Sequence, residues 1–388
     1  MKKSLSLVSA ALAATLTLAG AVSCGGNTDA GSNDAFRIGV SGPLTGGAAI
    51  YGTAVQHSVE LAVNEINAAG GLDGVKFEFK MLDDEHKADK IAANYAELKK
   101  WGMQLSLGTV TSTPCLEFKN YAQMDGLFFL TPSATNDGVP DGYDGAYQMC
   151  FKDSKQGNLS ADYIKQNCAD KKVGVLYNSE DTYSKELFDN FKSEFDDYNF
   201  VTTSFLDSTT DFASQIETLK DCDFIYMPTY YTPAATFMLQ ANGKMSDGTI
   251  YFGCDGFDGI DTYLGDNLNA FPQEISMLSH FNSASEDEAV VHYVEAYTAA
   301  YGKYDLNQFG ASAYDCVYAL FNALKKAKAD GKNVTPSLSA KEISDIFKEV
   351  FTSADFAFNG ITGKNVTWEA NGEVNKHPTK YVVKAASK

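Results

Sequence analysis

The sequence predicts an α/β fold of two doubly wound lobes, each a three-layer α/β/α sandwich, and three observations predict it. Short apolar runs alternate with helix-periodic stretches, which means parallel sheets with helices on both faces. The alternation runs once over 36–131 and starts again after Phe151, giving two similar halves, each with its own sheet. Several runs end in turns crowded with Ser, Thr, Tyr and Asp, and the C-terminal edge of such a sheet is where α/β folds bind ligands.

The first half reads strand 36–40, a turn-rich loop 41–47, and helix 51–70, in which Val55, Val59, Ala62, Val63 and Ile66 recur at helical spacing. Strand 76–82 ends in Asp83, Asp84 and Glu85, which read as a solvated turn, and helix 87–101 follows. The stretch Leu105–Cys115 (LSLGTVTSTPC) is a buried strand running into hydroxyl residues. Ser112 or Thr113 can cap the next helix, 112–124, with Pro114 in its first turn. Phe128–Thr135 (FFLTPSAT) echoes it within strand 127–131. Two such ends side by side offer backbone N–H groups and hydroxyls to a small carboxylate. The second half reads helix 154–167, strand 173–177, helix 181–195, strand 200–205, helix 211–219, strand 223–227, helix 233–242 and strand 250–253. Helices at about 284–302, 309–328 and 340–350 follow, then strands at 355–358, 365–369 and 381–384.

Residues 1–23 read as a secretory leader: Lys2 and Lys3, an apolar run, then small residues before Cys24. Cys24 is the expected lipidated N-terminus, and 24–35 a flexible polar tether. No later apolar run approaches the ~20 residues that span a bilayer. The chain is therefore expected outside the cytoplasm, on the membrane through the lipid only. A formal net charge of −19 argues against nucleic-acid binding, which needs basic patches. The single arginine, Arg37, lies in the first strand, so anion recognition falls to hydroxyls and backbone N–H groups. The six cysteines after Cys24 are widely spaced and read mostly as unpaired thiols. No cofactor or metal motif is present, and none of the five histidines adjoins a marked strand end. With no G-x-S-x-G, H-E-x-x-H or glycine-rich phosphate loop, catalysis is not predicted.

In the second half Tyr183, the Tyr230–Tyr231 pair and Asp255 follow strand ends. Facing the hydroxyl edge of the first half, they suit a zwitterion: carboxylate on Ser112 and Thr135, ammonium on Asp255, aromatics around a side chain. Asp255 also precedes Gly256 and could be a turn residue, and either of the adjacent tyrosines could be packing.

Ile38–Gly46 (IGVSGPLTG), Tyr51-Gly52, Ala62–Gly71 (AVNEINAAGG), Asp83-Asp84, Thr131–Thr135 (TPSAT) and Gly253–Gly256 (GCDG) resemble the branched-chain amino-acid binding proteins of ABC transporters, which have type I periplasmic-binding-protein folds. The resemblance implies ligand contacts at Tyr51, Val110, Thr111, Ser112, Ser133, Ala134, Thr135, Tyr183, Tyr231, Asp255 and Phe309. Ser112 and Thr135 would take the carboxylate, the Ser133 carbonyl and Asp255 the ammonium, Tyr51, Tyr183 and Phe309 the side chain. Asp255 stands where leucine-binding members carry glutamate, and their disulfide is replaced at one end by Thr111 and at the other by His86 or its neighbours. The resemblance implies three crossings between lobes, near Lys152, Ser279 and Ala357. Lobe 1 would be 36–153 plus 280–356 and lobe 2 154–279 plus 357–388. It further implies a monomer that delivers an amino acid to a permease and its ATPase subunits. A ligand such as an amide, urea or aromatic acid, or a sensor output from the same fold, are the other readings.

Overall fold

The computed structural model describes residues 34–387, so the leader, Cys24 and nearly all of the tether lie outside the described residues. The strands are β1 (Ala35–Gly42), β2 (Lys76–Asp83), β3 (Leu105–Thr109), β4 (Phe129–Thr131), β5 (Ala146–Gln148), β6 (Val173–Asn178), β7 (Val201–Phe205), β8 (Phe224–Met227), β9 (Ile250–Gly253), β10 (Glu274–Ser279) and β11 (Thr379–Lys384). The helices are α1 (Ala49–Ala68), α2 (Ile91–Trp101), α3 (Ser112–Asp125), α4 (Asp153–Asn167), α5 (Thr182–Ser193) and α6 (Ala213–Leu219). They continue as α7 (Tyr231–Ala241), α8 (Ile260–Leu264), α9 (Glu288–Tyr301), α10 (Gln308–Ala329) and α11 (Ala340–Phe351).

Two sheets form, in the orders β2-β1-β3-β4-β5 and β11-β10-β9-β8-β6-β7. Every pairing is parallel except β10 with β11. β1 and β3 are buried almost throughout, as strands covered on both faces must be. Helix α10 returns from the C-terminal third to pack along α1, with α11 beside it, so the first lobe is closed by residues far along the chain.

Several elements depart from the sequence reading, β5 and α8 among those it did not anticipate. β10 was not anticipated: only Ile275, Met277 and Leu278 of Glu274–Ser279 are apolar, so the segment does not stand out from its loop, yet it links β9 to β11. The expected strands at 355–358 and 365–369 are only bridges, Phe358 with Val366 and Trp368 with Val374. The stretch 357–374, expected in the second lobe, packs on the first. Trp368 Nε1 donates to the Gln148 carbonyl at 2.8 Å, the Gln148 N–H donates to Gly372 O at 3.1 Å, and Trp368 packs on Phe351. The third crossing therefore falls between Val374 and Thr379, some twenty residues later than the expected position near Ala357.

The crossing strands touch. The rings of Phe151 and His280 meet edge to face at 5.2 Å, and the Thr379 hydroxyl donates to Ser279 O at 3.0 Å. All six cysteines among the described residues are free and buried.

Candidate functional site

The loop after β1 is clamped by the carboxylates that end β2. Asp83 accepts from Leu44 N at 2.8 Å and the Thr45 hydroxyl at 2.6 Å, and Asp84 accepts from the Ser41 hydroxyl at 3.0 Å. Asp84 is fully buried, not solvated as the turn reading had it. Gly52 completes the fit, since a Cβ there would lie 1.9 Å from the Pro43 carbonyl oxygen. This docking fixes the first turn of α1 and with it Tyr51.

Thr111, rather than Ser112 or Thr113, is the N-cap residue of α3, with extended backbone and no side-chain cap. Ser112 is then the first helical residue, and its hydroxyl accepts from Asn136 N at 3.3 Å. The Ser133 hydroxyl donates to Val110 O at 2.6 Å, and Thr131 donates to Thr109 O at 2.7 Å, so the two strand ends are bonded to each other. On the other lobe Asp255 lies in a tight turn after β9 and Tyr183 in the first turn of α5, whose N-cap Asp181 accepts from Ser184 N. Tyr183 donates to Asp255 Oδ1, and Gln156 Nε2 donates to the same oxygen at 2.8 Å.

Between these edges lies a narrow cavity lined by Tyr51, Val110, Thr111, Ser112, Ser133, Tyr183, Tyr230, Asp255, Gly256 and Phe309. Eight of the eleven expected contacts line it. Ala134, Thr135 and Tyr231 do not. Thr135 is turned away: its N-terminal neighbour Ala134 is held by Thr131 and Gln148, and its own carbonyl accepts from Asp153 N at 2.9 Å. Tyr231 is the first residue of α7 and packs edge-on against Tyr51 at 5.1 Å and Tyr263 at 5.7 Å. Tyr230, the extended N-cap residue of that helix, takes the lining position and stacks on Tyr183 at 4.7 Å. At α7 the helix onset turns Tyr231 off the edge that Tyr230 keeps. Gln156 carried no signal in the sequence, being a polar residue on an otherwise ordinary helix.

The lobes are closed on one another. Tyr51 donates to Gly256 O at 2.5 Å, Thr232 to Gly47 O at 2.7 Å, Thr262 to Tyr304 O at 3.1 Å, and Asp137 N to Glu186 Oε2 at 3.1 Å. His86, which the sequence reading left away from the strand ends, pairs Nδ1 with the Thr111 hydroxyl at 2.8 Å and sets Nε2 3.7 Å from Asp181 Oδ1. A hydrogen bond thus joins the two positions where the resemblance implied a lost disulfide.

Closure dries the carboxylates. Burial pushes Asp255 up to about 6, against hydrogen bonds from Tyr183 and Gln156 that pull it down. Burial likewise raises Asp258 to about 7 and Asp84 to about 6, and Asp153 rises with burial and the nearby Glu186 and Asp255 charges. Burial also pushes the phenols of Tyr51, Tyr183 and Tyr230 upward, so all three keep their protons. A carboxyl whose folded pKa exceeds its unfolded value stabilises the fold most below the unfolded value, and that contribution is lost as pH rises through the folded one. The ligand-free melting temperature should therefore fall between pH 5.5 and pH 8, and fall less in Asp255→Asn. A melting curve flat over that window, or a variant as steep as wild type, would sink this account.

Two parallel α/β lobes closed around a polar and aromatic cavity define a bilobal ligand-binding protein. The chain belongs to the periplasmic binding protein family, whose model matches residues 35–373, which makes it an extracytoplasmic protein. No helix among the described residues is long and apolar enough to cross a membrane. It is 27% identical over 301 residues to a Leu/Ile/Val-binding protein homolog of Brucella melitensis, covering 75% of this chain and 79% of that one. It is also similar to a branched-chain amino acid transporter substrate binding protein of Streptococcus pneumoniae solved with isoleucine. The TM-score is 0.76 at 28% identity, over 90% of this chain and 95% of that one. An R. palustris ABC-transporter solute binding protein solved with benzoate shares the fold, with TM-score 0.75 at 20% identity over 91% and 94% of the two chains.

Proposed function

We propose that this protein is the substrate-binding component of an ABC importer and holds an α-amino acid with an aliphatic or hydrophobic side chain between its lobes. One observation carries the reading: the cavity sets a buried carboxylate, Asp255, against an edge of hydroxyl and backbone donors, and no lysine or arginine lines it. A ligand bearing both charges, carboxylate toward Ser112 and ammonium toward Asp255, supplies what each end lacks. Tyr51, Val110, Tyr230 and Phe309 offer an apolar compartment for the side chain. Ser133 and Thr111 complete the head-group side, while Thr135 would act from behind it through its backbone. Tyr231 would act through closure, its N–H reaching the Tyr51 hydroxyl at 3.4 Å.

The lobes in this reading are 36–151 with 281–374, and 153–279 with 379–387, joined by the three touching crossings. Ligand would dock on the first lobe, and the second would close over it, hinge closure being the motion known for periplasmic binding proteins generally. A permease would read the closed form, and Cys24 would carry the lipid anchor. The protein would be a carrier, not an enzyme, and a monomer.

A thermal-shift screen of the purified protein tests this against the twenty amino acids, with acetamide, urea and benzoate as rivals. A ligand bound only by the native state raises the melting temperature through RT ln(1 + [L]/Kd). Branched aliphatic amino acids should give the largest shifts. If benzoate or an amide stabilises and no amino acid does, the fold stands and this assignment falls.

A further inference from the structure

We infer that Gln156 is a positioning residue that aims the Asp255 carboxylate at the ligand while leaving its charge uncompensated; this rests on the amino-acid reading above. Gln156 is fully buried on α4, three residues after Asp153 and therefore on the same helix face. Both ends of its amide hold Asp255. Nε2 donates to Oδ1 at 2.8 Å, and Oε1 accepts from the Asp255 N–H at 3.0 Å. The second Nε2 proton goes to Asp153 Oδ1 at 3.2 Å. With two N–H groups and the carbonyl all engaged, the amide has one orientation, and so does the carboxylate it grips.

The helix that carries it is itself fixed. The Asp153 N–H at the start of α4 donates to Thr135 O of the first lobe at 2.9 Å. One chain of bonds therefore runs from the hydroxyl strand end of lobe 1, through the first crossing, to the acid of lobe 2.

The residue type matters as much as the geometry. A lysine here would pair with Asp153 and Asp255 and supply in advance the positive charge that a ligand ammonium brings. A glutamate would add a third carboxyl to two already buried together. A glutamine donates hydrogen bonds without a net charge. The carboxylate is oriented and kept ionisable, and its electrostatic demand is left for the ligand.

The test is titration calorimetry with L-isoleucine as the probe, from pH 5 to pH 8, on wild type, Gln156→Met, Gln156→Lys and Asp255→Asn. Hydrogen bonds to a charged group are worth about 1.5–3 kcal/mol, so Gln156→Met should weaken binding about 10- to 100-fold. It should also move the acid limb of the affinity profile to higher pH, because Asp255 loses a bond that favours its ionised form. A merely structural loss would lower affinity equally at every pH. Gln156→Lys should lose isoleucine binding while raising the ligand-free melting temperature, which keeps the idea testable if the methionine variant does not fold. If Gln156→Met binds within threefold of wild type with an unmoved limb, or Gln156→Lys still binds, the positioning role is wrong and the amino-acid reading survives. If wild type takes neither L-isoleucine nor any other amino acid of the thermal-shift screen, or Asp255→Asn binds it normally, that reading falls and the role of Gln156 with it.

Discussion

Asp255→Ala is expected to remove amino-acid binding almost entirely while sparing the fold. Asp255 is 2% exposed, and its Oδ1 is gripped by Tyr183 and Gln156, so it is a rigid acceptor in a dry cavity. Truncating one partner of a buried charge pair costs about 2–5 kcal/mol, because the other charge is left desolvated without compensation. Amino-acid affinity should drop by about a hundredfold or more in equilibrium titration. A purely acidic ligand of similar shape should lose nothing and gain somewhat, since a repelling carboxylate has gone. The pH dependence has a definite sign. With Asp255 at about 6 in the closed form, binding an ammonium requires its proton to leave below that pH. Affinity should therefore be level above pH 7 and fall toward roughly tenfold weaker at pH 5, as one proton is released per ligand. Equal losses for an amino acid and its deaminated analogue in Asp255→Ala would remove Asp255 from the head-group role.

Much of this was legible in the sequence because local and global signals agreed. The βα alternation, the apolar periodicity of α1 and the hydroxyl clusters after β3 and β4 each specify their own surroundings, and all three point to one architecture. Asp255 was legible because an acid at a buried strand end has few structural uses. What was not legible depends on partners distant in sequence. Whether Tyr230 or Tyr231 faces the cavity turns on one residue of helix onset at α7. Gln156 matters through Asp255, 99 residues away. The third crossing was misplaced because Trp368 and Gly372 are held by β5, more than two hundred residues earlier, and nothing in segment 357–376 announces that attachment.

That misplaced segment holds the second large effect, at the hinge. Lys376 is 5% exposed and donates to the Thr362 hydroxyl, which in turn donates to Asp315 Oδ2 at 2.5 Å. Asp315 also accepts from Ile361 N at 2.9 Å and Thr362 N at 2.8 Å, tying the returning chain to α10. Burial is the leading influence on both charges: it raises Asp315 and lowers Lys376, each toward neutrality, against their mutual attraction. Burial, helped by the same lysine charge, keeps His280 of the second crossing well below its ordinary value, hence neutral, with Nε2 2.6 Å from the Ser312 hydroxyl. The arrangement therefore gains little as a pair and loses much when broken. Asp315→Ala leaves two N–H groups and a hydroxyl without their acceptor and strands a buried ammonium, for about 3–5 kcal/mol. The melting temperature should fall by about 5 °C. Lys376→Met should cost less, because a lone Asp315 can take up a proton and keep accepting from the 361–362 backbone. The double variant Asp315→Leu with Lys376→Met should be more stable than Asp315→Ala alone, since it removes both charges from a site that solvates neither. A double variant less stable than Asp315→Ala would show that Asp315 serves the hinge through its backbone contacts alone, with the lysine charge incidental.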